Sequence, residues 1–109
     1  MTEADATASG LPDGAAGTHL IISGHVQGVG FRYFVKQTAD AAGLAGWVRN
    51  RHDTRVEVVL IGAAAEIQTV RDRIGRGPAG ARVDEVVART ARVDECEAAT
   101  RPLAVRTTT

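Results

Sequence analysis

The feature that most constrains this chain is an abrupt change of hydrophobic period around two glycines, in "HLIISGHVQGVGFRYFVKQTADAAG", residues 19–43. Before them, Leu20, Ile22, Gly24 and Val26 alternate, as one face of a β-strand does. After them, Phe31, Phe34, Val35, Ala39 and Ala42 recur at helical spacing and form one apolar stripe, with Gly43 as the stop signal. The chain therefore has only the residues between Val26 and Arg32 in which to leave a strand, turn and enter a helix. Gly28 and Gly30 supply the positive φ angles and bare backbone that so short a passage needs.

The rest of the chain continues the strand and helix rhythm. "LAGWVRN" gives a second strand and "RVEVVLIG" a third, with Val56, Val58 and Leu60 on one side. The "RHDT" between them is long enough only for a hairpin turn. "AAAEIQTVRDRI" places Ala63, Ile67, Val70 and Ile74 on one helical face and is ended by Gly75 and Gly77. "RVDEVVARTARV" and "PLAVRT" supply a fourth and a fifth, shorter strand. Strand, helix, strand, strand, helix, strand predicts an α+β, ferredoxin-like two-layer sandwich: an antiparallel sheet with two helices on one face. Residues 1–17, small, polar and aperiodic, predict a disordered leader, so the folded domain is expected over 18–109.

In this topology the first and second strands run in the same direction, and both end on one edge of the sheet. With the third strand between them they lie about 10 Å apart, two strand spacings. The glycine loop and Asn50 then become neighbours. Successive N–H groups of such a loop, from Gln27 through Gly28, Val29, Gly30 and Phe31 to Arg32, form a concave nest for an anion. The unpaired N–H groups and dipole of the following helix point to the same place. Arg32 in the first helical turn opposes that dipole, a cost that makes sense if its planar fork grips a bound dianion. A tight turn with glycines and a solvated arginine is the plainer reading. Asn50 is equally an ordinary strand-end turn residue or, beside a phosphate cradle, an amide able to orient a water.

The blocks "GHVQGVGFR" and "GLAGWVRN", with their order and separation, resemble the signature of the acylphosphatases. "GPAGARVDEV" resembles the same family's segment before the fourth strand and "PLAVR" is similar to its last strand, so the resemblance runs from His19 onward. It implies a five-stranded ferredoxin-like sandwich that hydrolyses carboxyl–phosphate anhydrides without a metal or other cofactor. It also implies that Arg32 binds the phosphoryl group and Asn50 positions the attacking water. A catalytically silent phosphate-binding or partner module on the same fold is the alternative. Retention of both residues favours catalysis, because an anion sensor has no need of the amide. Where the family often has Asp-Gly this chain has Asp53-Thr54. Thr54 tolerates positive φ poorly, which predicts a different turn or an extra bulge.

The resemblance implies a small acyl phosphate as the partner, and the remaining composition argues against larger ones. Thirteen basic and thirteen acidic residues cancel without a like-charged block, which argues against nucleic acid. Two Phe and one Tyr, all near the first helix, give the strands no stacking platform for RNA. The single cysteine, Cys96, excludes an intrachain disulfide and a cysteine-based metal site, and stands among charges as an incidental thiol. His19, His25 and His52 have no metal spacing and are expected at the surface or sheet edge, with His52 placed to tune substrate access. Trp47 is expected to pack on the sheet. Without a signal peptide or membrane-length apolar run, a cytoplasmic monomer is expected.

Overall fold

The computed structural model describes residues 15–109. Its elements are β1 (Ala15–His25), α1 (Phe31–Ala41), β2 (Ala45–Asn50), β3 (Val56–Ala63), α2 (Ala64–Arg76), β4 (Arg82–Thr90), α3 (Val93–Glu97) and β5 (Ala104–Val105). One five-stranded sheet runs in the order β4-β1-β3-β2-β5. β1 pairs antiparallel with β3 and β4, and β2 antiparallel with β3. β5 lies parallel to β2, so the sheet is mixed rather than wholly antiparallel. β3 separates β1 from β2, as expected.

One face of the sheet presents Leu20, Ile22, Val48, Val56, Val58 and Leu60, all fully buried. α1 covers it with Phe31, Val35 and Ala39, and α2 with Ile67, Val70 and Ile74, which makes one continuous core. Phe34 and Ala42 sit at the margin of the α1 stripe and are half-buried. Thr38 is buried instead, its hydroxyl donating to the Phe34 carbonyl at 2.8 Å. α1 stops where expected. The Gly43 N–H donates to the Asp40 carbonyl and Leu44 N–H to that of Ala39, the paired closure that a left-handed glycine (φ 73°) permits.

Several boundaries differ from the sequence expectation. Residues 1–14 of the expected leader lie outside the described residues, and Ala15–Gly17 open β1, paired with Ala63–Ile61. Ala63 ends β3 rather than starting α2, and Gly75 lies within α2, which closes at Gly77. The fourth strand ends at Thr90, and Val93–Glu97 form a third helix. α3 packs on the face away from the core, where the Trp47 indole Nε1 donates to the Glu95 carbonyl at 3.1 Å. Trp47 is a packing residue, 2% exposed and flanked by the guanidinium groups of Arg49 and Arg106 at 4.8 and 4.9 Å.

His19 corrects another expectation, since it is buried. Its Nε2 lies 2.7 Å from Glu57 Oε2 and 3.8 Å from Glu95 Oε2. The register that sends Leu20 and Ile22 into the core sends His19 to the opposite face, where Glu57 and α3 enclose it. Both carboxylates are already committed: Glu57 to Arg49 at 2.8 Å, and Glu95 to Arg89 at 2.7 and 2.9 Å and to the Arg92 N–H at 2.8 Å. His19, Glu57 and Glu95 have the residue types of a metal site, but arginines engage one oxygen of Glu57 and both of Glu95 and supply the countercharge. The cluster is an ion-pair network joining α3 to the sheet. His25 and His52 are exposed, as expected.

Candidate active site

The β1–α1 passage adopts the geometry its glycines allow. Gly28 and Gly30 both have φ 76°, and Gly30 forms the left-handed N-cap of α1 without a side-chain cap. Among the described residues, none of the N–H groups of Gln27, Gly28, Val29 and Gly30 donates to a protein acceptor. Phe31 and Arg32, in the first helical turn, have no intrahelical acceptor by construction. This run of unpaired donors borders a cleft of about 230 Å³, whose lining includes Gly28, Gly30, Arg32 and Asn50. Val26 and Phe31, each 1% exposed, close its inner end. Tyr33 and Val105, 61% and 46% exposed, stand at its mouth.

Arg32 and Asn50 therefore meet at one cleft, as the topology predicts. Asn50 ends β2 on the core-facing side, opposite Val56, and its side chain makes no hydrogen bond to protein among the described residues. Its backbone carbonyl accepts from the Thr109 N–H at 3.1 Å. Arg32 Nη1 donates to the Arg106 carbonyl at 3.3 Å, so the residue just beyond strand β5 steadies the guanidinium. That strand is itself fixed from α1. Asp40 accepts from the Leu103 N–H at 2.8 Å and from Lys36 at 2.9 Å, and Lys36 also donates to the Leu103 carbonyl. Burial works to raise the Asp40 pKa, but the Leu103 N–H and the Lys36 ammonium outweigh it and hold the carboxyl below its ordinary value.

The roles of Gln27 and Val29 were only partly legible. Both were expected to contribute N–H groups alone. The Gln27 side chain also turns to the β2–β3 hairpin, where Nε2 donates to the carbonyls of Arg51 and Arg55 at 2.8 and 2.9 Å. It thereby ties the glycine loop to the hairpin that follows Asn50. Val29 packs against the core and anchors the loop from beneath. Nothing in the local sequence pairs residue 27 with residues 51 and 55; only the sheet order brings them together.

The hairpin carries a further correction. Thr54 has φ 75° and takes the left-handed position itself. Thr54 N–H donates to the Arg51 carbonyl and Arg51 N–H to that of Arg55, the pattern of a three-residue loop whose last member usually is glycine. Asp53 compensates: its carboxylate accepts from the Arg55 backbone and from both the Arg51 and Arg55 guanidinium groups. The Arg55 side chain, with smaller help from Arg51, holds Asp53 far below the usual carboxylate range. Cys96 is half-buried in α3, and burial together with the neighbouring carboxylates pushes its thiol up, away from nucleophilic use.

The fold and cleft define a class of small protein: a two-layer α+β sandwich with a run of unpaired N–H donors at the start of its first helix, one arginine and one amide without a protein partner among the described residues. The acylphosphatase family model matches residues 18–101. An acylphosphatase of Rhodopseudomonas palustris is 51% identical over 75 residues, 69% of this chain and 76% of that protein. One of Moorella thermoacetica is 54% identical over 68 residues, 62% of this chain and 73% of that protein. The crystal structure of the Bacillus subtilis acylphosphatase superposes with a TM-score of 0.75 at 36% identity, covering 83% of this chain and 97% of the other. The chain belongs to the acylphosphatase family.

Proposed function

We propose that this protein hydrolyses the carboxyl–phosphate bond of small acyl phosphates to a carboxylate and phosphate. The observation that carries this reading is the convergence of unpaired loop N–H groups, Arg32 and Asn50 on one cleft. The phosphoryl oxygens sit in the nest, met by the N–H groups of residues 27–32 and by the Arg32 guanidinium. Asn50 holds a water on the face opposite the bridging oxygen. As the water oxygen bonds to phosphorus, the P–O bond to the acyl group breaks and its electron pair leaves on the carboxylate. The water proton passes to a phosphoryl oxygen.

The leaving carboxylate's conjugate acid has a pKa of about 4, so the departing group needs no protonation and no general acid. Charge spreads over the phosphoryl oxygens in a loose transition state, and catalysis reduces to positioning and electrostatics. The cofactor-free reading rests on that chemistry. Every group involved comes from one chain, which supports a monomer. Among the described residues no helix is long and apolar enough to cross a membrane, and we place the enzyme in the cytoplasm.

The test is hydrolysis of acetyl phosphate with a chelator present. Wild-type protein turns it over, and Arg32→Ala lowers kcat/KM by at least about 100-fold while weakening inhibition by inorganic phosphate. Undiminished turnover in Arg32→Ala overturns the assignment.

A further inference from the structure

Resting on that reading, we infer that the enzyme favours acyl phosphates whose acyl group is neutral and apolar, and that Tyr33 is the side chain that selects them. The phosphoryl end occupies the nest around Gly28 and Gly30, so the acyl group must lie along the rest of the lining, where Tyr33 and Val105 are exposed. Four large apolar or aromatic side chains stand out as exposed on the described surface: Tyr33, Val87, Val93 and Val105. Two of these four, Tyr33 and Val105, flank this one opening. Both are fixed in place. Tyr33 follows Arg32 on the first turn of α1, and Val105 pairs with Val48 in the sheet. An acyl group lying between them would bury apolar surface that is otherwise wet.

The charges around the opening point the same way. Among the described residues, Arg32 is the only charged one lining the cleft, and it is needed for the phosphoryl group. Several other cations of the sheet, the hairpin and α1 are engaged elsewhere. The Arg106 guanidinium lies over Trp47, on the sheet face away from the core. Arg51 and Arg55 pair with Asp53, and Lys36 pairs with Asp40. His52 borders a separate cavity at the hairpin, with Arg51, Asp53 and Thr109. Among the described residues, a second anionic group on the acyl side would meet no charged lining residue besides Arg32 and would lose water to the side chains of Tyr33 and Val105.

The experiment compares kcat/KM for acetyl phosphate, benzoyl phosphate and 4-carboxybenzoyl phosphate in wild type, Tyr33→Ala and Tyr33→Phe. Wild type prefers benzoyl over 4-carboxybenzoyl phosphate by about tenfold or more, the discrimination available to a small pocket contact. The benzoyl-to-acetyl ratio falls about tenfold in Tyr33→Ala and is restored in Tyr33→Phe, while the inhibition constant for inorganic phosphate stays at the wild-type value. Comparing ratios between variants cancels the intrinsic reactivity of each substrate. Equal wild-type turnover of both aromatic substrates, or an unchanged ratio in Tyr33→Ala, overturns this inference and leaves the acylphosphatase reading standing. Wild type inactive on all three overturns both.

Discussion

At the scale of single residues, the proposed reaction divides binding from chemistry between Arg32 and Asn50. Arg32 carries the positive charge of the cleft, whereas the Asn50 amide is neutral and unengaged. Asn50→Ala should therefore lower kcat by about 100-fold, the effect of removing one preorganised polar group, while the inhibition constant for phosphate stays within about twofold. Near-normal turnover in that variant would remove the water-positioning role. Thr54 raises a question of stability instead. A β-branched side chain at φ 75° costs about 1–2 kcal/mol, and its exposed side chain gains no packing in return. Thr54→Gly relieves that strain but frees the unfolded chain, which offsets part of the gain. The net expectation is a rise of about 1 kcal/mol, or about 4–8 °C in Tm by calorimetry. The proximity of Asn50 to the glycine loop was legible from topology. The left-handed Thr54 was not, because it depends on Asp53 drawing both flanking arginines around the turn.

At the scale of elements, the parts written as long periodic patterns were legible and the parts made by distant pairing were not. The α1 stripe, with Gly43 behind it, and the Val56, Val58, Leu60 alternation each specify an element by themselves. α3 spans only five residues, too short for a helical period to register. The burial of His19 depends on a glutamate 38 positions away, which no local window contains. The same network gives α3 a pH-dependent hold on the sheet. The Arg89 guanidinium, helped by the Arg92 N–H and His19, lowers the Glu95 pKa from 4.5 to about 2. A carboxyl depressed on folding contributes stability above its unfolded value and loses it as pH falls through its folded value. Wild-type stability should thus decline between about pH 4.5 and about pH 2. Arg89 is 41% exposed, so water screens part of the pairing. Glu95→Gln should cost about 2 kcal/mol at pH 7, and urea titrations of the two proteins should converge across that acid window. A gap that persists undiminished below pH 3 would show that the carboxylate charge is not what matters.

At the scale of the whole molecule, the sheet divides its labour between faces. The helix-covered face supplies the core and aims Asn50 and the glycine loop at the cleft, while the other face carries the ion pairs and α3. Changes to His19, Glu57 or Glu95 should shift unfolding midpoints with little effect on kcat/KM at 25 °C. The cleft depends most on its thinnest part. β5 contributes two paired residues at a sheet edge, and beyond it the Arg106 carbonyl receives the guanidinium. Edge segments with few paired groups open at lower cost than the body of a domain. Acyl phosphatase activity should accordingly fade at a lower urea concentration than far-UV circular dichroism; superimposable curves would mean that edge and core open together. The span between Arg32 and that carbonyl, 74 positions, has a consequence for biogenesis. Translation delivers the guanidinium well before its support, so a nascent chain can assemble much of its interior while still silent toward substrate. Turnover would begin only once Arg106 has emerged and docked, which makes hydrolysis a report on that late contact rather than on collapse.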